Sequence, residues 1–130
     1  MHPDLILSSL ERAASRTDPA SEVYARVFAA HPDMERLFVR DKDGSVRGHM
    51  FQELVMALMD YVGPNTYGGN LFRIERTNHE QLGVPVNVYP VIFSALRDTL
   101  REAQAGEWNP AVEQAWTSLL SDLDRLLKET

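Results

Sequence analysis

Thr77-Asn78-His79-Glu80-Gln81-Leu82-Gly83-Val84-Pro85 closes a helical run on a histidine and follows it with a glycine and a proline. Glycine takes the left-handed turn past a helix end at little steric cost, and proline cannot continue the helix. A second helical run, carrying Tyr89, begins at once. The arrangement presents one imidazole to an interior and reverses the chain around it. The residues alone allow two readings of His79. It is a metal ligand, or it is a histidine placed where the negative end of a helix dipole favours it.

Working outward from this stretch gives helices on both sides. Downstream, a long helix is expected from residue 86 or 87 to about 105. Pro90 falls in its first turn, and Val88, Val91, Ile92, Ala95, Leu96 and Leu100 form its inner side. Gly106 ends it, and Asn109-Pro110 opens a final helix in cap-then-proline style. The stripe of that last helix is the cleanest in the chain: Val112, Ala115, Trp116, Leu119, Leu120, Leu123, Leu126 and Leu127.

Upstream, Asn70 is the expected cap of a helix over 71–81 whose apolar stripe is Leu71, Ile74 and Leu82, with His79 at its margin. The turn-rich segment 63–69 (GPNTYGG) connects it to a helix over 49–62, whose inner face is Met50, Leu54, Ala57, Leu58 and Tyr61. Residues 39–48 read as an exposed polar loop. Asp41-Lys42-Asp43-Gly44 has the opening of a calcium loop, but the later ligands do not follow at the right spacing. Before it, 33–38 fits a short helical turn carrying Met34, Leu37 and Phe38 inward. Residues 19–30 form a helix started by Asp18-Pro19 and broken at His31-Pro32. Val23, Val27 and Ala30 share one of its faces, and Tyr24 and Phe28 lie on a neighbouring strip. A first helix over 5–16 turns Ile6, Leu10, Ala13 and Ala14 inward. No segment alternates at period two. The expectation is an all-α fold of about seven helices in a single domain spanning 1–130.

Composition narrows the function. The 44% hydrophobic and 25% charged residues fit an ordinary globular domain, and the net charge of −6 speaks against nucleic acid or an anionic membrane surface as partner. With no cysteine, disulfides, thiol catalysis and cysteinyl metal centres are excluded, leaving histidine, carboxylate, tyrosine and methionine as ligands. The N-terminus has no basic region before an apolar run and no apolar run is long enough to span a bilayer, so a cytoplasmic protein is expected.

Two groups of residues carry a family resemblance. The first reads Tyr24, Phe28, His31-Pro32-Asp33 and Leu37-Phe38. The second reads His79, Leu82-Gly83-Val84 and Tyr89, and Trp116 follows in the last helix. In order and spacing these resemble a bacterial haem globin, most closely the globin domain of flavohaemoglobins, over residues 22–123. The resemblance implies protohaem IX with His79 as iron ligand, Tyr89 as its orienting partner, Phe38 flat against the porphyrin, and Tyr24 as the distal hydroxyl over a gas ligand. On the same alignment the distal helix places Met50 over the haem, with Leu54 one turn later. A slip of one residue would substitute His49 and turn Glu53 inward. Glu75 stands where the family usually has an apolar residue on the porphyrin. The family's glutamate near the end of its last helix falls just past Thr130, with Glu129 its near neighbour.

The implied function is binding of a diatomic gas, oxygen or nitric oxide. The family's conversion of nitric oxide to nitrate would need an external reductase, since no nucleotide-binding or flavin segment follows. The competing expectation is a haem-free globin fold serving as an interaction or sensing module. A hydrolase has no support, because no nucleophile–base–acid set stands out.

Overall fold

Apolar residues at three- and four-residue steps need a common interior, and six α-helices and a 3-10 helix provide it in the computed structural model, which describes residues 3–16 and 19–128. The elements are α1 (Pro3–Arg16), α2 (Pro19–Ala30), a 3-10 helix (Pro32–Phe38), α3 (Ser45–Val62), α4 (Gly68–Gln81), α5 (Val91–Ala103) and α6 (Pro110–Lys128). There is no strand among the described residues. The expected all-α architecture is therefore the one observed. The expected cap Asp18 and Glu129 lie outside the described residues, as does the side chain of the expected inward Ala14.

Helix α2 packs chiefly on α5, α3 on α4, and α1 on α6. Ile6, Val23, Leu58, Leu96, Trp116 and Leu119 are all fully buried where these pairs meet. A large side chain buried to this degree contributes roughly 1.5–3 kcal/mol, so this cluster is a principal source of stability. Two polar groups enter it with partners. Trp116 Nε1 donates to Ser9 Oγ at 3.0 Å, and Ser9 Oγ donates to the Ile6 carbonyl at 2.7 Å. Gln104 Nε2 donates to the Ser9 carbonyl at 2.9 Å, which ties the end of α5 to α1.

Three helix starts differ most from the sequence expectation, each for a local reason. Helix α3 starts at Ser45, four residues before the expected His49, because two aspartates cap it. Asp43 Oδ1 accepts the Ser45 amide, and Asp41 accepts those of Val46 and Arg47, all at 3.0 Å. Helix α4 starts at Gly68, and Asn70 is inside it rather than capping it. Its first amides are satisfied by Asp60 from the end of α3, which takes Tyr67 at 2.9 Å and Gly68 at 2.7 Å, and by Asn65 Oδ1, which takes Gly69 at 3.2 Å. Helix α5 begins at Val91, after Pro90, which has no amide to donate to the helix ladder. Residues 86–90 form consecutive turns instead.

The face of α4 also differs. Phe72 is the buried residue, at 2% exposure, while the expected stripe residues Ile74 and Leu82 are 56% and 70% exposed. Phe72 packs edge-on against Phe93 of α5, with ring centroids 5.1 Å apart, and this contact sets the rotation of α4.

Candidate functional site

The end of α4 aims His79. Gly83 has φ +103°, as its place after the helix anticipated, and the Val84 amide folds back to the His79 carbonyl at 2.8 Å. The imidazole Nδ1 lies 2.7 Å from the Glu75 main-chain carbonyl one turn earlier. That oxygen can only accept, so Nδ1 carries a proton, and in the neutral tautomer this selects, Nε2 is the nitrogen able to take a metal. The Tyr89 ring sits against the imidazole with centroids 5.1 Å apart, and Phe93 supports Tyr89 edge-on at 6.2 Å.

Beside His79 opens a cavity of about 450 Å³, within the ~300–1,000 Å³ typical of small-molecule sites. Its walls bring together Tyr24, Phe38, Met50, His79 and Tyr89, which come from five different parts of the chain. A smaller adjoining cavity of about 100 Å³ is lined by Leu54 and Glu75 and again by Tyr24, Met50, His79 and Tyr89. All six residues singled out in the sequence therefore line one or both of two cavities that share walls, Leu54 only the smaller. His49 does not: it is on the outer face of α3, with Nε2 3.2 Å from Glu53 Oε1, both side chains more than 60% exposed. Val88 and Ile92 face inward as expected, and both line the larger cavity, together with Val27 and Val84.

The aromatic wall is a triangle. Tyr24, Phe28 and Phe38 meet pairwise with centroids 5.6–6.0 Å apart. The Tyr24 hydroxyl is buried and has no hydrogen-bond partner. Such a group costs about 1–3 kcal/mol unless something polar reaches it, so its place on this wall points to a ligand. Burial pushes the phenol up to about 12, with Arg47 opposing and Asp41 adding to the shift. The hydroxyl therefore keeps its proton at any physiological pH and remains a donor.

Asp41 lies behind Tyr24 and was missed as a residue of the cavity wall. Desolvation would raise its carboxyl, but the amides of Arg47 and Val46 and the Arg47 guanidinium hold it below the usual carboxylate range. Arg47 Nε is 3.0 Å from Asp41 Oδ2. Arg40 is the cation that lines the larger cavity. The sequence signal for this corner was weak, because Asp41 and Arg47 become a unit only once the loop folds onto α3.

The mouth of the cavity is apolar and exposed. Leu37, Val46 and Leu82 line it and are 42%, 51% and 70% accessible. Leu37 and Leu82 were expected inside the core; they face the opening instead. Glu75 is not buried in the apolar wall, since its side chain is 37% exposed, and Oε2 lies 3.5 Å from His79 Nδ1. Among the described residues no three histidine or carboxylate side chains gather as a bare metal ion would require.

A flat, mostly apolar group bearing its own metal fits this region. One neutral imidazole nitrogen is available on one side, an unpartnered hydroxyl stands on the wall, and exposed leucines rim the opening. Comparison with known proteins agrees in kind: the globin family model matches residues 21–124. No curated protein and no solved structure matches the chain. The match covers most of the chain, and the protein belongs to the globin family.

Proposed function

We infer that this globin holds protohaem IX in the cavity between α3 and α4 and binds a diatomic gas there. The observation that carries the reading is the combination of His79, held through Nδ1 by the Glu75 carbonyl, with an unsatisfied buried hydroxyl on Tyr24, both on the wall of one cavity. When bound, haem supplies an iron centre that takes oxygen or nitric oxide and exchanges single electrons. The chain's own residues do the rest. His79 would hold the iron through Nε2, its ring fixed by the Glu75 carbonyl and by Tyr89. Phe38, Met50 and Leu54 line the cavities and would pack against the macrocycle, and the Tyr24 hydroxyl would be the donor available to a gas ligand. Arg40 is placed to meet an acidic substituent at the mouth.

The geometry supports Met50 rather than His49 on the distal side, because Met50 lines the cavity and His49 is turned to solvent. The family reaction of oxygen with nitric oxide and one electron gives nitrate, so this activity needs an external reductase as electron donor. In its absence the protein is a gas binder.

Titrating the purified protein with haemin tests the reading. A sharp Soret band at one haemin per chain is expected, lost or displaced in His79→Ala and partly restored by added imidazole. A colourless, fully folded protein that refuses haemin would favour the haem-free interaction module.

A further inference from the structure

Glu75 faces His79 twice. Its main-chain carbonyl takes the Nδ1–H at 2.7 Å, and its carboxylate Oε2 stands 3.5 Å from the same nitrogen. The second carboxylate oxygen, Oε1, accepts the Asn78 side-chain amide at 3.4 Å, which restrains the head group on this side of the helix. Glu75 also lines the smaller cavity beside His79 and Tyr89, and no lysine or arginine lines that cavity. Glu53 lines it too, from α3, but its Oε1 is engaged by His49. Arg73, on α4, directs its Nη1 to Asn70 at 3.2 Å. The negative charge at the imidazole edge is therefore not offset by a cation lining the same cavity.

Tyr89, the ring packed on the imidazole, lines the same small cavity as the Glu75 carboxylate.

Hydrogen bonding to a ligating imidazole increases its basicity, and a neighbouring anion favours the more positive state of whatever the imidazole binds. Resting on the haem reading above, we propose that Glu75 is a positioning residue whose carboxylate, set beside the Nδ1–H of His79, strengthens this ligand and favours the oxidised iron. The position that looked least suited to a haem pocket thereby becomes the control of its redox balance. Direct charge contacts shift such equilibria by about one to three decades, and the partial exposure of Glu75 places its effect at the low end.

The test compares Glu75→Gln with Glu80→Gln in the full, haem-loaded chain. Glu80 is exposed on the same helix and lines neither cavity. Glu75→Gln keeps the shape and the Asn78 contact but removes the charge. The one-electron reduction equilibrium against a mediator dye should move about tenfold towards the ferrous state, which is ~59 mV. The iron–histidine stretching band of the ferrous protein should fall in frequency. Glu80→Gln should change neither, and Glu75→Asp should keep most of the redox effect. A clear iron–histidine band that is the same in wild type and Glu75→Gln, with the reduction equilibrium unmoved, overturns the role of Glu75 alone. Absence of that band from wild type overturns the ligand assignment, and with it the proposal.

Discussion

The carboxylate of Asp60, in the last turn of α3, accepts the amide of Gly68, the first residue of α4, at 2.7 Å. The same side chain takes the Tyr67 amide and both the amide and the hydroxyl of Thr66. One residue thus fixes the angle between the helix bearing Met50 and the helix bearing His79. Desolvation opposes ionisation of Asp60, but these donors outweigh it and hold the carboxyl below its usual range. A group depressed in the folded state adds stability above its unfolded pKa, near ~4 for aspartate, and loses it as pH falls through the folded value. The urea midpoint of the wild type should therefore fall more steeply than that of Asp60→Asn as pH drops below about 5. The two proteins should differ most at pH 7 and converge in acid.

The close approach at Gly68 yields a sharper structural prediction. A methyl group there would press into the Ala57 carbonyl oxygen and lie 3.0 Å from the Tyr61 nitrogen, and both are backbone atoms of α3. Overpacking against backbone costs about 1–3 kcal/mol. Gly68→Ala should lower the thermal midpoint by roughly 10 °C and weaken haemin binding, because α4 must move. At Gly69 the nearest atoms are side chains of Asn65 and Tyr61 at 3.2 Å or more. Relief of the glycine penalty in a helix, about 1 kcal/mol, should make Gly69→Ala nearly neutral in circular dichroism melts.

Tyr24→Phe should separate stability from ligand retention. It removes a buried hydroxyl that has no partner, so the unliganded protein should keep or slightly raise its melting temperature. With haem and oxygen bound, the loss of a strong hydrogen bond of about 1.5–3 kcal/mol should speed oxygen dissociation by roughly 10–100-fold in stopped flow. Because burial holds the phenol up to about 12, the wild-type rate should be flat from pH 6 to pH 9.

Ser9→Ala should leave the Trp116 N–H buried and unpaired, since the indole is fully enclosed and Ser9 Oγ is its acceptor. A cost of about 1–3 kcal/mol is expected in urea unfolding. Adding Trp116→Phe removes the stranded donor, so the double variant should lose less than the sum of the two single changes.

Sequence periodicity revealed the helices because each has an inner face repeating every three or four residues, as in the stripe of Val112, Trp116, Leu119 and Leu123. It failed where the deciding partner is distant in sequence. The inward turn of Phe72 depends on Phe93, and the start of α4 depends on Asp60. The start of α3 was obscured differently, because Asp41 and Asp43 look like loop residues until their carboxylates meet the helix amides. At the site, Tyr24, Phe38, Met50, His79 and Tyr89 were legible through the globin-like spacing and do line one cavity. Asp41 and Arg40 were not, since no spacing rule marks a polar residue in a loop as part of an apolar wall. Glu75 stood out as a carboxylate where the family usually has an apolar residue, and the helix lets it lie, partly exposed, along the edge of the imidazole.

Leu37, Val46 and Leu82 at the cavity mouth have a consequence for how this protein behaves before it is complete. A macrocycle seated in the cleft would shield these side chains; an empty cleft leaves them as adhesive apolar surface beside a groove wide enough to admit another chain's residues. Colloidal behaviour is then tied to cofactor supply. Protein made under iron limitation should self-associate with rising concentration, and loading with haemin should return it to a discrete species in sedimentation. Solubility itself becomes a report on whether the cleft is filled.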